Sequence, residues 1–282
     1  MTAPTAARPA SVAELTEWTA AGTLGPDPST VRASSAFLTV YGTRHAGRAH
    51  GYRNEVLSVR VGAAVGSCGI ERDAPGDHLR AVDDCPGATV ADLLVHPLPA
   101  VRIAALDAYL LHAHPHPRAG GRRAEPVTVA GTDTLEKSRR RAAAVVDLLP
   151  VGPGAVVLVI GVVNSLLAAL RARGIDYLPC DRVGGHTEWG EPVATSAADG
   201  LERCDALLVT GMTLGNGSFD TLRAAAARRA VPLTLFAQTG SAVLPWFLGP
   251  GGVHAVSAEP YPFFSLDGAP STLFHYRDGG AA

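Results

Sequence analysis

"CDALLVTGMTLGNGSFDTLRAAAARRA" (204–230) reads as a buried strand, a polar turn and a helix in immediate succession. "ALLV" is apolar at every position, a pattern that suits a strand covered on both sheet faces. The turn that follows is built from glycine, threonine, asparagine and serine, and the alanine-rich run behind it has high helix propensity. The same rhythm recurs around it. "AVVLVIG" (155–161) leads into the helix "SLLAALRARG" (165–174), closed by Gly174. "DYLPCD" (176–181), "PLTLFAQ" (232–238) and "VHAVSAEP" (253–260) read as further strands, the last of these as the final one. "DTLEKSRRRAAAVVDLL" (133–149) is an amphipathic helix ahead of them. Apolar strands alternating with helices predict an α/β fold with a Rossmann-like parallel sheet over residues 126–282.

The upstream half has a different grammar. "SVAELTEWTAAGTL" (11–24) starts a helix on Ser11, with Glu14 three residues on. "SSAFLTVYG" (34–42), "NEVLSVRVG" (54–62) and "AAVGSCGIE" (63–71) are short runs punctuated by glycine, as in an antiparallel meander. Two helices follow, "TVADLLVH" (89–96) capped by Thr89 and "LPAVRIAALDAYLLHAH" (98–114) opened by Pro99. Strands followed by helices make residues 11–118 a smaller α+β domain, and the Pro, Gly and Arg of "PHPRAGGRRAEP" (115–126) mark the junction.

Composition narrows the function classes. Hydrophobic residues are 47% of the 282 and charged residues 18%, enough for a sizeable core. A net charge of −2 argues against nucleic acid as a partner, and no apolar run reaches the roughly 20 residues that cross a bilayer. The expectation is a cytoplasmic protein with no membrane or nucleic-acid partner, and a symmetric homodimer as the commonest assembly. Cys68, Cys85, Cys180 and Cys204 are scattered, as free thiols are. Lysine occurs once, at Lys137.

In an open parallel sheet, ligands bind beyond the carboxyl ends of the strands. Four loops gather there: 161–165, 180–190, 210–218 and 238–245. The first carries Asn164 and Ser165 but only Gly161 of a G-x-G-x-x-G fingerprint, so conventional NAD or FAD is not expected. In the third, Thr210, Gly211, Thr213, Asn216, Gly217 and Ser218 either present donors to an anion or polar small molecule, or simply cap the next helix. Thr239 of the fourth loop joins this candidate ligand set.

These residues carry a resemblance. "LLVTGMTLGNGSFDTLRAAA" (207–226), "VLVIGVVNSLLAALRARG" (157–174) and "LFAQTGSAVLPWFLGPGGVHAVSAEP" (235–260) resemble a family named for heavy-metal chelation. "CPGATVADLLVHPLPAVRIAALDAYLL" (85–111) resembles the helical end of that family's smaller domain. The resemblance implies a Rossmann-like domain preceded by an α+β, enolase-N-terminal-like domain, and a ligand between them. It also implies a metal ion, of transition type, as a possible cofactor.

Within the second loop, Cys180, Asp181, His186 and Glu188 lie inside nine residues. Thiolate, imidazole and carboxylate suit a late transition metal, which makes Cys180, Asp181 and His186 the candidate ligands. Alternatively His186 and Glu188 form an acid/base pair, with Lys137 neutralising charge, or the loop is merely solvated. In "YGTRHAGRAHGYRNE" (41–55), Arg44, His45 and His50 suit an anion clamp better than a cation site. "HAHPHP" (112–117) closes a helix and calls for no metal. Two readings of function remain: a protein that binds a metal ion, a metal complex or a small anion in the interdomain cleft, or an enzyme of specialised metabolism acting on a small anionic or amino-acid-like substrate by acid/base chemistry.

Overall fold

The computed structural model describes residues 8–44, 51–261 and 268–279. Helix α1 (Val12–Ala20) opens where Ser11 accepts the Glu14 N–H at 3.1 Å. Strands β1 (Ala33–Thr43), β2 (Tyr52–Val61) and β3 (Ala64–Ile70) form the expected antiparallel meander in that spatial order. Three helices follow: α2 (His78–Asp84), α3 (Val90–Leu94) and α4 (Pro99–Ala113). Thr89 and Asp92 close a reciprocal capping box on α3. The seven-residue α2 is an addition to the sequence reading; its cap, Asp77, follows a Pro–Gly stretch that reads as loop.

Helix α4 lies against β3 at very short range. A Cβ placed on Gly66 would sit 1.9 Å from the Ala108 nitrogen and 2.3 Å from the Ala104 oxygen, so only glycine lets the two backbones meet. The junction then forms a two-residue ribbon, β4 (Arg118–Ala119) with β5 (Arg122–Arg123). The histidines here are structural. His114 Nε2 donates to the Leu24 carbonyl at 2.5 Å, and His116 stacks on Phe274 at 4.6 Å and shares a 2.6 Å hydrogen bond with the Tyr276 hydroxyl.

The second half supplies β6 (Glu125–Val129), α5 (Thr134–Val146), β7 (Val156–Ile160), α6 (Asn164–Ala172), β8 (Asp176–Cys180), α7 (Ala198–Arg203) and β9 (Ala206–Thr210). It continues with α8 (Met212–Gly215), α9 (Phe219–Arg229), β10 (Leu233–Ala237), β11 (Ala255–Ala258) and β12 (Ser271–Arg277). The sheet order is β6-β12-β11-β10-β9-β7-β8. Its five strands from β8 to β11 are parallel, as expected, with Leu235 beside both Val209 and Val256. Two strands correct the sequence reading. β12 pairs antiparallel with β11, so 253–260 is not the last strand, and β6 pairs antiparallel with β12. "STLFHYR" and "EPVTV" lack the unbroken apolar signature because both lie at the antiparallel side of the sheet.

One sheet face is covered by α5 and α6 through Val145, Val146, Leu166, Leu167 and Leu170. The opposite face joins Leu207, Val209, Leu235 and Val256 to Phe219 of α9 and, in the same core, to Leu57, Leu106 and Tyr109 of the first half. The two halves therefore share apolar core. At the far margin, β8 is shielded over its last residues: Ala194 N–H donates to the Pro179 carbonyl and Asp181 N–H to the Ala194 carbonyl, both at 2.9 Å. Pro179 itself has no N–H to offer.

Candidate functional site

The order β8-β7-β9 reverses the chain's direction of travel across the sheet at β7, and the loops after β7 and β9 diverge there. The polar turn after β9 occupies this place. It contains a short helix, α8, that glycine and threonine hid from sequence reading. Its side chains are mostly engaged with one another. Thr213 hydroxyl donates to the Thr210 carbonyl at 2.8 Å, and the Asn216 side-chain oxygen accepts both the Ser218 N–H (3.1 Å) and the Ser218 hydroxyl (2.6 Å). Asn216 Nδ2 donates to Glu71 Oε1 at 2.9 Å, which ties the turn to the residue after β3. Of its glycines, Gly217 has the left-handed φ of 76°, whereas Gly211 has φ −62° and is small because a Cβ would lie 2.6 Å from the Thr239 oxygen. The turn thus clasps the first half of the chain.

Along the neighbouring loops, Asp181 accepts the N–H groups of Val162 (3.2 Å) and Val183 (3.1 Å), and the Cys180 thiol is buried, which pushes its pKa up. Raising the thiol pKa makes the thiolate that a metal requires less available, and each Asp181 oxygen already holds one backbone donor. His186 and Glu188 are exposed. Among the described residues no three His, Cys, Asp or Glu side chains come together as a metal site, so Cys180, Asp181 and His186 are not assembled as the sequence spacing invited. The Glu188 N–H donates to Asn164 Oδ1 at 3.3 Å, and Ser165, 3% exposed, accepts the Ser138 hydroxyl at 3.0 Å. Arg182 meets Asp73 at 3.3 Å, so residues 71–73 touch both the 180–190 and 210–218 loops.

The densest polar group lies at the ends of β10 and β11. Glu259 is 2% exposed and accepts four donors: Arg141 Nε at 2.6 Å and Nη2 at 2.9 Å, Gln238 Nε2 at 3.2 Å, and the Ser271 hydroxyl at 2.5 Å. Arg141 comes from α5, one turn after Lys137, whose ammonium is buried and donates to the Ala269 carbonyl at 2.5 Å. Lys137 is therefore a charge held at the strand ends beside Arg141, on the same helix stripe. From the first half, Tyr41 and Val56 pack with Tyr261, and Asn54 Nδ2 donates to the Tyr41 hydroxyl at 3.0 Å. Burial raises the pKa of Tyr41 and of Tyr261, so both remain protonated phenols. Thr239, next to Gln238 in the chain, is buried with its hydroxyl near Gly69 of β3. Arg44 is exposed at the end of the β1 stretch, and His45 and His50 lie outside the described residues.

The sequence does not single out Arg141, Gln238, Ser271 or Glu259 as a group. The available signal was a charged residue set directly behind the apolar run "AVSA" at a strand's carboxyl end. Two shallow depressions elsewhere are of other character. One, about 450 Å³ along β8, is lined by Arg171, Tyr177 and Glu191, which already pair with one another. The other, about 370 Å³, lies between α7 and α9.

Residues 144–244 match the DUF364 family. Its model is described as "Putative heavy-metal chelation", and the matched span contains the three loops at 161–165, 180–190 and 210–218 and nearly all of 238–245. Among solved structures, a DUF364 protein of unknown function from Desulfitobacterium hafniense superposes with a TM-score of 0.52 at 14% identity. The likeness covers 89% of this chain and 93% of that one. A second DUF364 protein of unknown function, from Pyrococcus horikoshii, has a TM-score of 0.47 at 11% identity over 85% and 93%. At such identities the likeness speaks for fold alone: a Rossmann-like sheet preceded by a smaller α+β part. No curated protein matches the chain. Among the described residues no helix is long and apolar enough to cross a membrane.

Proposed function

We propose that this protein binds a small anionic organic molecule, free or as the ligand of a metal ion, in the seam between the β1–β3 sheet and the carboxyl ends of β10 and β11. The observation that carries the reading is the buried Arg141–Glu259 pair beneath Tyr41 and Tyr261, with Lys137 one helical turn away. Arg141 and Lys137 bring two basic side chains to one helix stripe in a poorly solvated place, where charge-assisted donors favour an added anion. The packed rings of Tyr41 and Tyr261 add an apolar wall. Asn164 and Ser165 open α6 on the same side of the sheet, where the helix dipole also favours negative charge. On this reading any metal arrives through the ligand, because the described side chains form no donor group of their own.

Calorimetry with a panel of di- and tricarboxylates, each with and without divalent metal, tests the reading. The double variant Arg141→Gln, Glu259→Gln keeps a neutral hydrogen-bonded pair and is expected to fold. Loss of the guanidinium should weaken carboxylate binding at least tenfold, about 1.4 kcal/mol. Undiminished affinity in that variant would move the site elsewhere.

A further inference from the structure

Strand β3 has β2 on one side only, and its other margin needs partners for its backbone groups. Ser67 supplies two of them: its carbonyl accepts the Gly240 N–H at 2.8 Å and its N–H donates to Asp107 Oδ2 at 2.9 Å. Asp107, on α4 and 2% exposed, also accepts the Ala242 N–H on Oδ1 at 2.7 Å, and the backbone N–H groups of Gly240 and Val243 on the same turn add to the pull on its charge. Among the described residues no arginine or lysine pairs with it; its charge is met by backbone N–H groups alone. Closely spaced N–H groups on one turn, converging on one point, form an anion-binding concavity. The carboxylate comes from a third element, carried into reach because Gly66 lets α4 press on β3.

We propose that the turn 240–243 is a carboxylate receptor filled in cis by Asp107, and that this contact is the lock seating the N-terminal sheet on the strand ends. Its occupant is a carboxylate because two oxygens must each accept from a different element, Oδ2 from β3 and Oδ1 from the turn. The lock stands apart from the ligand reading above, although Gln238 and Thr239 ride on the segment it holds. Burial pushes the Asp107 carboxyl up to about 7 against the pull of its N–H donors, so the tests belong at pH 8 or above.

The decisive experiment is rescue from outside. Asp107→Gly removes the tethered carboxylate and opens its space; Asp107→Ala retains the Cβ and serves as the size control. Thermal unfolding of both and of the wild type is followed in sodium formate and in sodium chloride at equal ionic strength. Formate should raise the Asp107→Gly midpoint saturably, by about 3 °C at tenfold saturation, and leave the wild type unmoved. If Asp107→Gly does not fold in chloride, its refolding yield in formate replaces the midpoint, with recovery of native circular dichroism as the readout. Absence of any formate-specific gain in both measurements overturns the receptor. So does an Asp107→Asn protein as stable as the wild type, because its amide would point a donor at a donor.

Discussion

Glu259 gathers a guanidinium, an amide and a hydroxyl around one buried carboxylate, and removing it strands all three. Glu259→Ala is expected to destabilise the protein by about 3 kcal/mol or more, since a buried cation left without its partner carries its full desolvation cost. Glu259→Gln should cost less, because the amide oxygen still accepts from Arg141. Urea midpoints of the two variants check the order, and equal losses would show that charge is not what Glu259 contributes. The pair was not legible in the sequence. Arg141 and Glu259 are 118 positions apart, and one of three consecutive arginines in "SRRRAA" carries no mark that separates it from its neighbours. By contrast Asn216 stood out, since an asparagine before a glycine signals a turn. What it grips, Glu71, depends on how two halves of the chain meet, and local pattern holds no information on that.

Elements whose signal is periodic were read well. The meander β1–β3, the capped α3 and α4, and the five parallel strands all announce themselves through alternation, caps or unbroken apolar runs. β12 did not, because it carries polar residues into the interior. His275 on that strand is 6% exposed, and burial pulls its pKa down to about 4, as it does for His116. The sign follows from linkage: the unfolded chain takes up protons near pH 6.5 while the folded one resists, so stability is lost as pH falls from there toward 4. His275→Gln should shrink the loss measured by urea unfolding between pH 7 and pH 5, by about 1–2 kcal/mol; an unchanged loss would exclude His275 as its source. Gly66 offers a packing test on the neighbouring sheet. Gly66→Ala forces α4 off β3 and is expected to destabilise by about 2–3 kcal/mol, in the range of other overpacked cores; a neutral result would mean that the helix can slide.

On the scale of the whole molecule, the shared core and the clasps at Asn216, Asp107 and His116 link the halves. Heat or urea should therefore unfold both in one cooperative step, with tryptophan fluorescence and far-ultraviolet circular dichroism tracing the same curve. Two separated transitions would show that each half holds its own stability. The sequence marks two halves plainly through their different grammars. It does not reveal that they are fused through the face of the larger sheet, because an apolar strand residue looks alike whether a helix or a second sheet covers it.

The proline near the end of β8, with the 192–194 segment laid beside it, has a consequence for how copies of this protein meet. A naked margin would let one molecule's ribbon continue into the next and grow without limit. Blocking that route at the carboxyl end of β8 closes one way to open-ended growth, leaving β6 and β1 as the margins at which it would have to start.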